Sequence, residues 1–338
     1  MKQILYSICS VALFLVLILP FSFSQSGYND SIKVMFYNVE NLFDIYDDTV
    51  KADEEFTPGG ERRWNNSRYY SKLNRISKAI VAVGQWQPPD LIGLCEVENK
   101  KVLQDLVYET PLKGSGYKIV HSESDDRRGI DVAILYRPVF LKLIARRSLR
   151  IEFRGDTAYR SRDILYAKFL SFGVDTLHVF VNHWPSKYGG VLKTEPRRMD
   201  AARALRDQLD SLFRKSDGPA IIAMGDLNDG PGSAVLSYLL DSIFCDGSKM
   251  VPLLEKSSGT IKYRGKWLQY DHLLVSPVFA DSLNGLYIPG MKGFVCADNF
   301  LKERDNRFTG FKPFRTFTGY RYNGGFSDHL PVYTIIKK

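Results

Sequence analysis

Short apolar runs rich in β-branched and aromatic residues recur along almost the whole chain, and this recurrence constrains the fold more than any other feature. They fall at 32–37, 91–96, 117–121, 131–136, 141–151, 164–172, 176–182, 220–225, 271–276 and 331–336. Runs of this length and composition predict strands. Apolar spacing of three and four residues predicts helices at about 68–83, about 100–108 and about 196–213. In the first, Leu73, Ile76, Ile80 and Val83 share a face; in the last, Met199, Ala202, Leu205 and Leu209 do. Strands that outnumber helices this heavily exclude a helical bundle and disfavour a regular barrel of alternating strands and helices. They point to an α+β chain with two packed sheets and helices outside. No repeat, linker or shift of composition interrupts residues 25–338, so one domain is expected there.

The first 24 residues read as a signal peptide. Lys2 supplies the positive start, an apolar run spans Val11 to Leu19, and Ser22-Phe23-Ser24 places small residues at the two positions a signal peptidase reads before cutting. The run is short for a bilayer-spanning helix. Export to the periplasm or the extracellular space, without stable membrane insertion, is therefore expected. The full chain carries +8, and removing residues 1–24, whose one charge is Lys2, leaves +7. A basic balance suits a polyanionic partner. Cys95, Cys245 and Cys296 remain after cleavage, too few for a disulfide scaffold, though one bridge is possible. Hydrophobic residues at 44% exclude wholesale disorder.

Polar residues appear abruptly at the ends of the apolar runs, where scaffolds present functional groups. Asn38 and Glu40 alternate after the first run, which in a regular strand puts both on one face. Glu96 closes the second run, where an acid is costly unless paired or metal-bound. Asn182-His183 closes another. Asp226 and Asn228 follow 220–225, Tyr270-Asp271-His272 opens the run after that, and Ser327-Asp328-His329-Leu330-Pro331 opens the last. Each fragment alone also fits an ordinary turn or a structural histidine. A carboxylate such as Asp271 near His329 would fix its tautomer and raise its basicity.

Taken together and in this order, the fragments resemble the motif series of the endonuclease/exonuclease/phosphatase superfamily over about residues 32–336, with Gly-Asp-Leu-Asn and Ser-Asp-His-Leu-Pro the most specific segments. The opening Asn-Val-Glu-Asn-Leu-Phe-Asp resembles an exported bacterial branch. The resemblance implies a DNase-I-like four-layer sandwich of two mainly antiparallel sheets flanked by helices. It implies Glu96 as the main ligand of a catalytic Mg²⁺ or Mn²⁺ with Asn38 beside it, Glu40 as a second acidic ligand and Asp328 as a further metal-site acid. Asp226 would deprotonate the attacking water, Asn228 would hold the phosphate, His183 would orient it, Asp271 would orient His329, and His329 would contact a phosphoryl oxygen. Such a site hydrolyses phosphoesters without a serine or cysteine nucleophile.

Basic residues near these loops favour a secreted nuclease, with nucleic acid as substrate. They include Arg62-Arg63, Arg127-Arg128, Arg160, Arg162, Arg197-Arg198, Lys262, Arg264 and Lys266. Residues 300–326 also interleave Arg307, Lys312 and Arg315 with Phe308, Phe311, Phe314, Phe317, Tyr320 and Tyr322. Arg197, Arg307, Lys312 and Arg315 are the expected substrate contacts. For most of the aromatics of this stretch, packing on the sheet while the charges face water is the favoured reading. A phosphatase or a lipid phosphodiesterase of inositol-phosphate or sphingomyelin type is the alternative, and a non-catalytic binding protein a remoter one. No protein partner is inferred.

Overall fold

The computed structural model describes residues 30–85, 87–241, 249–283 and 285–338. The predicted signal peptide and Cys245 lie outside the described residues. Residues 31–338 form one compact unit.

The chain runs β1 (Ser31–Leu42), α1 (Asn66–Gly84), β2 (Leu91–Val97), α2 (Lys100–Tyr108), β3 (Lys118–His121), β4 (Asp131–Tyr136), β5 (Leu141–Leu149), β6 (Ile164–Ser171) and β7 (Asp175–His183). It continues through α3 (Val191–Lys215), β8 (Ala220–Asp226), α4 (Ala234–Leu240), β9 (Val251–Pro252), β10 (Ile261–Tyr263), β11 (Lys266–Leu268) and β12 (Asp271–Val275). The last strands are β13 (Phe294–Val295), β14 (Lys302–Arg304), β15 (Phe311–Pro313), β16 (Phe317–Thr318), β17 (Arg321–Tyr322) and β18 (Val332–Lys337). Two six-stranded sheets result, ordered β13-β18-β1-β2-β4-β3 and β5-β6-β7-β8-β12-β9. Within them β1 pairs with β2 and β7 with β8 in parallel, and the remaining neighbours are antiparallel.

The layers follow from side-chain alternation. In β2, Leu91 and Cys95 face the other sheet and belong to a core shared with Leu165, Val179, Val181, Met224, Leu273 and Val275. Ile92 and Leu94 face the opposite way, against Leu73, Ile76 and Ile80 of α1 and Leu103 and Leu106 of α2. Beyond the second sheet, Phe180, Ile221 and Ala223 meet Ala202, Leu205 and Leu209 of α3 and Leu236 of α4. Helix, sheet, sheet and helix therefore stack in four layers. The helices start where capping oxygens permit: Asn65 accepts from Arg68 N at 3.1 Å and Asn99 from Val102 N at 3.0 Å.

The strand and helix patterns predicted from the sequence are present with shifted ends. α3 starts at Val191, upstream of Pro196, where a proline-led start at 196 was expected. The short α4 and the hairpins β10-β11, β14-β15 and β16-β17 carry too few residues for a readable period. Cys95 and Cys296 are buried free thiols.

Gly225 lies opposite Asn182 in the β7–β8 pair, where the two strands approach too closely for a side chain. A Cβ there would lie 2.3 Å from Asn182 O and 2.6 Å from Asn182 Cβ. Gly225→Ala is expected to destabilise the protein by about 1–3 kcal/mol or more, as overpacking does. A lowered thermal midpoint checks it, and activity should fall with it, because Asn182 and Gly225 each precede a site residue.

Candidate active site

Strand pairing gathers the polar chain positions on one rim. In the parallel pair β7–β8, His183 lies opposite Asp226; in the antiparallel pair β8–β12, Asp226 lies opposite Asp271. In the parallel pair β1–β2, Asn38 lies opposite Cys95, the residue before Glu96. The segment leading into β18 is clipped to the same rim: Ser327 Oγ donates to Asn38 O at 2.7 Å and accepts from His329 N at 3.1 Å. The ends of β1, β2, β7 and β8 and the starts of β12 and β18 thus converge, although their residues are up to 291 positions apart, from Asn38 to His329.

The backbone is bent where the acids sit. The register shifts between Asn38 and Leu42 and between Cys95 and Val97. Glu40, Asn41, Glu96 and Asn228 adopt φ of 53°, 53°, 61° and 49°. Non-glycine residues in this left-handed region cost energy and persist where the surroundings hold them. Bulges of this kind re-aim side chains. The Glu96 carboxylate accepts from Asn41 N at 2.8 Å through Oε2 and from Asn38 Nδ2 at 3.3 Å through Oε1. Asn38 Nδ2 also reaches Asp226 Oδ2 at 3.1 Å. His183 Nε2 lies 3.8 Å from both Glu96 Oε1 and Asp226 Oδ2. His329 Nδ1 bonds Asp271 Oδ2 at 2.7 Å, and its Nε2 lies 3.7 Å from Asp226 Oδ2.

The electrostatics are polarised. Burial lowers the affinity of His329 for a proton, but Asp271 and Asp226 override it and hold the ring well above its ordinary pKa, as an imidazolium. Burial and the cations of Arg162 and Arg128 push His183 well below its ordinary value, so it is neutral. Its Nδ1 has no hydrogen-bond partner among the described residues. Burial, opposed by His329 and reinforced by Asp271 and Glu96, carries Asp226 up to about 7.

This environment fits a hard divalent cation. Glu96 Oε1 and Asp226 Oδ2 each lie 3.8 Å from His183 Nε2 and so present carboxylate oxygens to one space, whereas His329, protonated and bonded to Asp271, is not available as a ligand although it lies within 4.8 Å of Asp226 and Asp271.

The expected neighbours of this centre are placed unevenly. Asn38 turns its amide oxygen to Glu40 N at 3.0 Å, so its NH₂ and not its oxygen faces Glu96 and Asp226. The bulge defeats the alternation of Asn38 and Glu40. The Glu40 carboxylate turns away, accepting from Arg315 Nε at 3.3 Å and Thr316 N at 2.7 Å. Arg315 also reaches Asp328 Oδ2 at 3.0 Å, while Asp328 Oδ1 lies 4.0 Å from His329 Nε2. Arg315 therefore sits on the rim between two acids. Asn228 N donates to Asp226 Oδ1 at 2.9 Å and its Nδ2 to Trp184 O at 3.0 Å.

Much of the basic surface expected for substrate is structural. Arg197 pairs with Asp156 at 2.8 Å and stacks on Tyr159, and Lys312 pairs with Glu303 at 3.4 Å. Arg162, Arg198 and Lys262 are committed to Asp126, Asp229 and Asp305. Arg62 lies over Phe56, Phe317 and Tyr320. Of the aromatics in 300–326, Phe317 and Phe326 are buried and Phe314 and Tyr322 pack on the core, whereas Phe308, Phe311 and Tyr320 are exposed. Arg307 stays on the surface.

Lys72 is a site neighbour that the sequence does not reveal. It is buried beneath the rim, donating to Thr316 Oγ1 at 2.5 Å and Phe326 O at 2.7 Å. Burial, against Glu40 and Asp328, lowers its amine to about 8. A lone lysine on an otherwise regular helix face carries no signal of that role.

Two face-packed six-stranded sheets with an acid–histidine rim define a DNase-I-like fold. The sequence model described as the endonuclease/exonuclease/phosphatase family matches residues 33–338, and the chain belongs to that family, whose members are generally phosphoesterases. No curated protein matches the chain. Solved structures share the fold at low identity. The human Nocturnin catalytic domain with bound sulfate is 15% identical, covering 91% of this chain and 95% of that one, with a TM-score of 0.57. A D. rerio TDP2 complexed with single-strand DNA product is 14% identical, covering 91% and 99%, at 0.53. An endonuclease/exonuclease/phosphatase family protein of Bacteroides thetaiotaomicron is 14% identical, covering 90% and 94%, at 0.54.

Proposed function

We propose that the protein is an exported, divalent-metal-dependent phosphodiesterase acting on nucleic acid. The observation that carries the reading is the buried rim in which Glu96, Asp226 and His183 surround one space beside an Asp271-held imidazolium at His329. Glu96 would be the principal carboxylate holding Mg²⁺ or Mn²⁺, which would supply charge neutralisation at the phosphate when bound. Asp226, raised to about 7, has the basicity to take a proton from water near neutrality. His329 directs a charged Nε2–H toward the space beside Asp226, suited to a phosphoryl oxygen that gains charge. His183, kept neutral, orients the phosphate. Asn38 and Asn228 serve as positioning residues: one fixes the two carboxylates, the other braces Asp226 against the Trp184 carbonyl. Glu40, Arg315 and Asp328 form the adjoining wall, with Asp328 next to the metal space and Arg315 half-exposed toward substrate.

Nucleic acid is favoured by the net charge of +7 without residues 1–24 and by a basic cleft at the tip of the β10-β11 hairpin. Ile261 bridges His329, and the β10-β11 hairpin runs outward from there to a cleft of about 690 Å³ lined by Arg264, Lys266, Arg304, Arg307 and Phe308. The D. rerio TDP2 that shares the fold is complexed with single-strand DNA product. Purified protein offered plasmid, single-stranded DNA, RNA, sphingomyelin and inositol phosphates, with Mg²⁺ or with EDTA, tests the reading. Nucleic-acid cleavage abolished by EDTA supports it, and turnover confined to inositol phosphates or lipid moves the assignment to another branch of the family.

The cleft makes its own prediction. Changing Arg264, Lys266, Arg304 and Arg307 to Ala is expected to flatten the salt dependence of DNA binding by about 0.7–0.9 in log–log slope for each phosphate no longer neutralised. Hydrolysis of a small aryl phosphodiester should be unchanged. Binding isotherms in EDTA across a salt series check it.

A further inference from the structure

A second cluster lies one strand away from Glu96. His121 ends β3, Asp131 opens β4 and Glu123 sits in the loop between them. The three side chains offer ligand atoms within 4.8 Å of one another. His121 Nε2 lies 3.5 Å from Asp131 Oδ2, and the two side chains are only 4% and 3% exposed. Among the described residues neither atom has a hydrogen-bond partner. Such a pair is costly in a protein interior unless something satisfies both atoms. Their separation exceeds a normal hydrogen bond. It does match two ligands of one tetrahedral ion, since bonds of roughly 2.0–2.1 Å put ligand atoms about 3.4 Å apart.

The surroundings aim these groups inward. Ser124 N at 3.0 Å and the Ser124 hydroxyl engage Asp131 Oδ1, which leaves Oδ2 directed at the imidazole. Glu123, 60% exposed, brings a carboxylate oxygen from the solvent side to within 4.8 Å of the other two ligand atoms. The neighbouring cation, Lys51, is committed to the carbonyls of Ser124 at 2.9 Å and Asp126 at 3.2 Å.

We propose that His121, Glu123 and Asp131 form a second metal site, distinct from the Glu96 centre, for a zinc-type divalent ion. One imidazole with two carboxylates suits such a borderline ion better than Mg²⁺, which favours oxygen ligands alone. Its role is structural. The site closes the 122–130 loop, whose Asp126 pairs with Arg162 at 3.1 Å and whose Arg128 donates to Asn41 Oδ1. Asn41 N in turn holds Glu96, and Asp131 lies opposite Val97, the residue after Glu96. Occupancy therefore steadies the loop that braces the rim.

Co²⁺ is the probe, because tetrahedral Co²⁺ absorbs visibly and octahedral Co²⁺ does so only weakly. The metal-stripped protein carrying Glu96→Gln, which impairs the first centre, is titrated with Co²⁺. The expected result is a stoichiometric tetrahedral spectrum, bleached by Zn²⁺, with a thermal midpoint raised by Zn²⁺. Glu123→Ala, at a side chain 60% exposed and thus harmless to folding, should weaken Co²⁺ binding on the order of tenfold or more. His121→Gln should eliminate the spectrum. Absence of tetrahedral bands, or bands and midpoint shifts that survive Glu123→Ala unchanged, overturns the proposal. The Glu123→Ala result decides the matter even where His121→Gln does not fold, and neither readout depends on phosphodiester turnover.

Discussion

Replacing Glu96 with glutamine is expected to lower divalent-cation-dependent turnover by about 10³-fold or more while leaving the fold intact. Its carboxylate closes a buried strand at a left-handed φ of 61°, a conformation retained where the rest of the structure enforces it. Oε2 is engaged by Asn41 N at 2.8 Å, and Oε1 faces Asn38, His183 and the space beside Asp226. On the proposed assignment, removing its charge removes the principal anionic ligand for a hard cation, and charge neutralisation at a phosphoryl centre is worth several kcal/mol of barrier. Stability should change little. The glutamine oxygen can still accept from Asn41, and Glu96 is among the acids that raise Asp226, so its loss relieves repulsion. Calorimetric titration of Mn²⁺ and a thermal melt, run on both proteins, check this. Equal metal affinity and equal rates would remove Glu96 from the centre.

Asp226→Asn and His329→Ala are each expected to lower kcat by about 10²-fold or more. Asp226 is opposite both His183 and Asp271 in strand register, and its Oδ2 is 3.7 Å from His329 Nε2. The two groups share one electrostatic balance: Asp226 helps keep His329 charged, and His329 keeps the Asp226 carboxyl from rising further. Removing either disturbs the other, so the double variant should lose less than the product of the single losses. The pair also has a pH signature. With the His329 pKa raised, its protonated state persists through neutrality and is lost only as pH rises through the shifted value. In His329→Ala, Asp226 loses the neighbour that lowers its pKa, so the acidic limb of the rate profile should move to higher pH. Steady-state rates on an aryl phosphodiester across pH, for the two single variants and the double, measure both effects. Near-normal rates in the single variants would exclude the assignment.

Most of the fold was legible because its signals are local. The continuous apolar runs of β2, β7 and β8, and the three- and four-residue spacing in α1 and α3, survive in the structure because each element buries one face or two against a layer. The hairpins after Met250 were not legible, since strands of two or three residues have no period to read and are held by pairing across loops. The acids and histidines were legible as candidates because polar groups at the ends of apolar runs are conspicuous. Their partners were not. Lys72 looks like any lysine on a helix, and Arg162, Arg198 and Lys262 look like substrate contacts until the structure shows each committed to a carboxylate.

By itself the sequence determined that strands far outnumber helices, which excludes a helical bundle, and that Glu96, His183, Asp226, Asp271 and His329 stand at strand ends. Those facts follow from local periodicity and from the cost of burying an unpaired polar group. Only the tertiary structure decided which of these residues share one space and which way each side chain points. The reason is that both depend on register and backbone bend, which contacts remote in sequence impose. The bulge after Asn38 sends Glu40 toward Arg315 and turns the Asn38 amide to present its NH₂, and the pairing of β8 with both β7 and β12 sets Asp226 between His183 and Asp271.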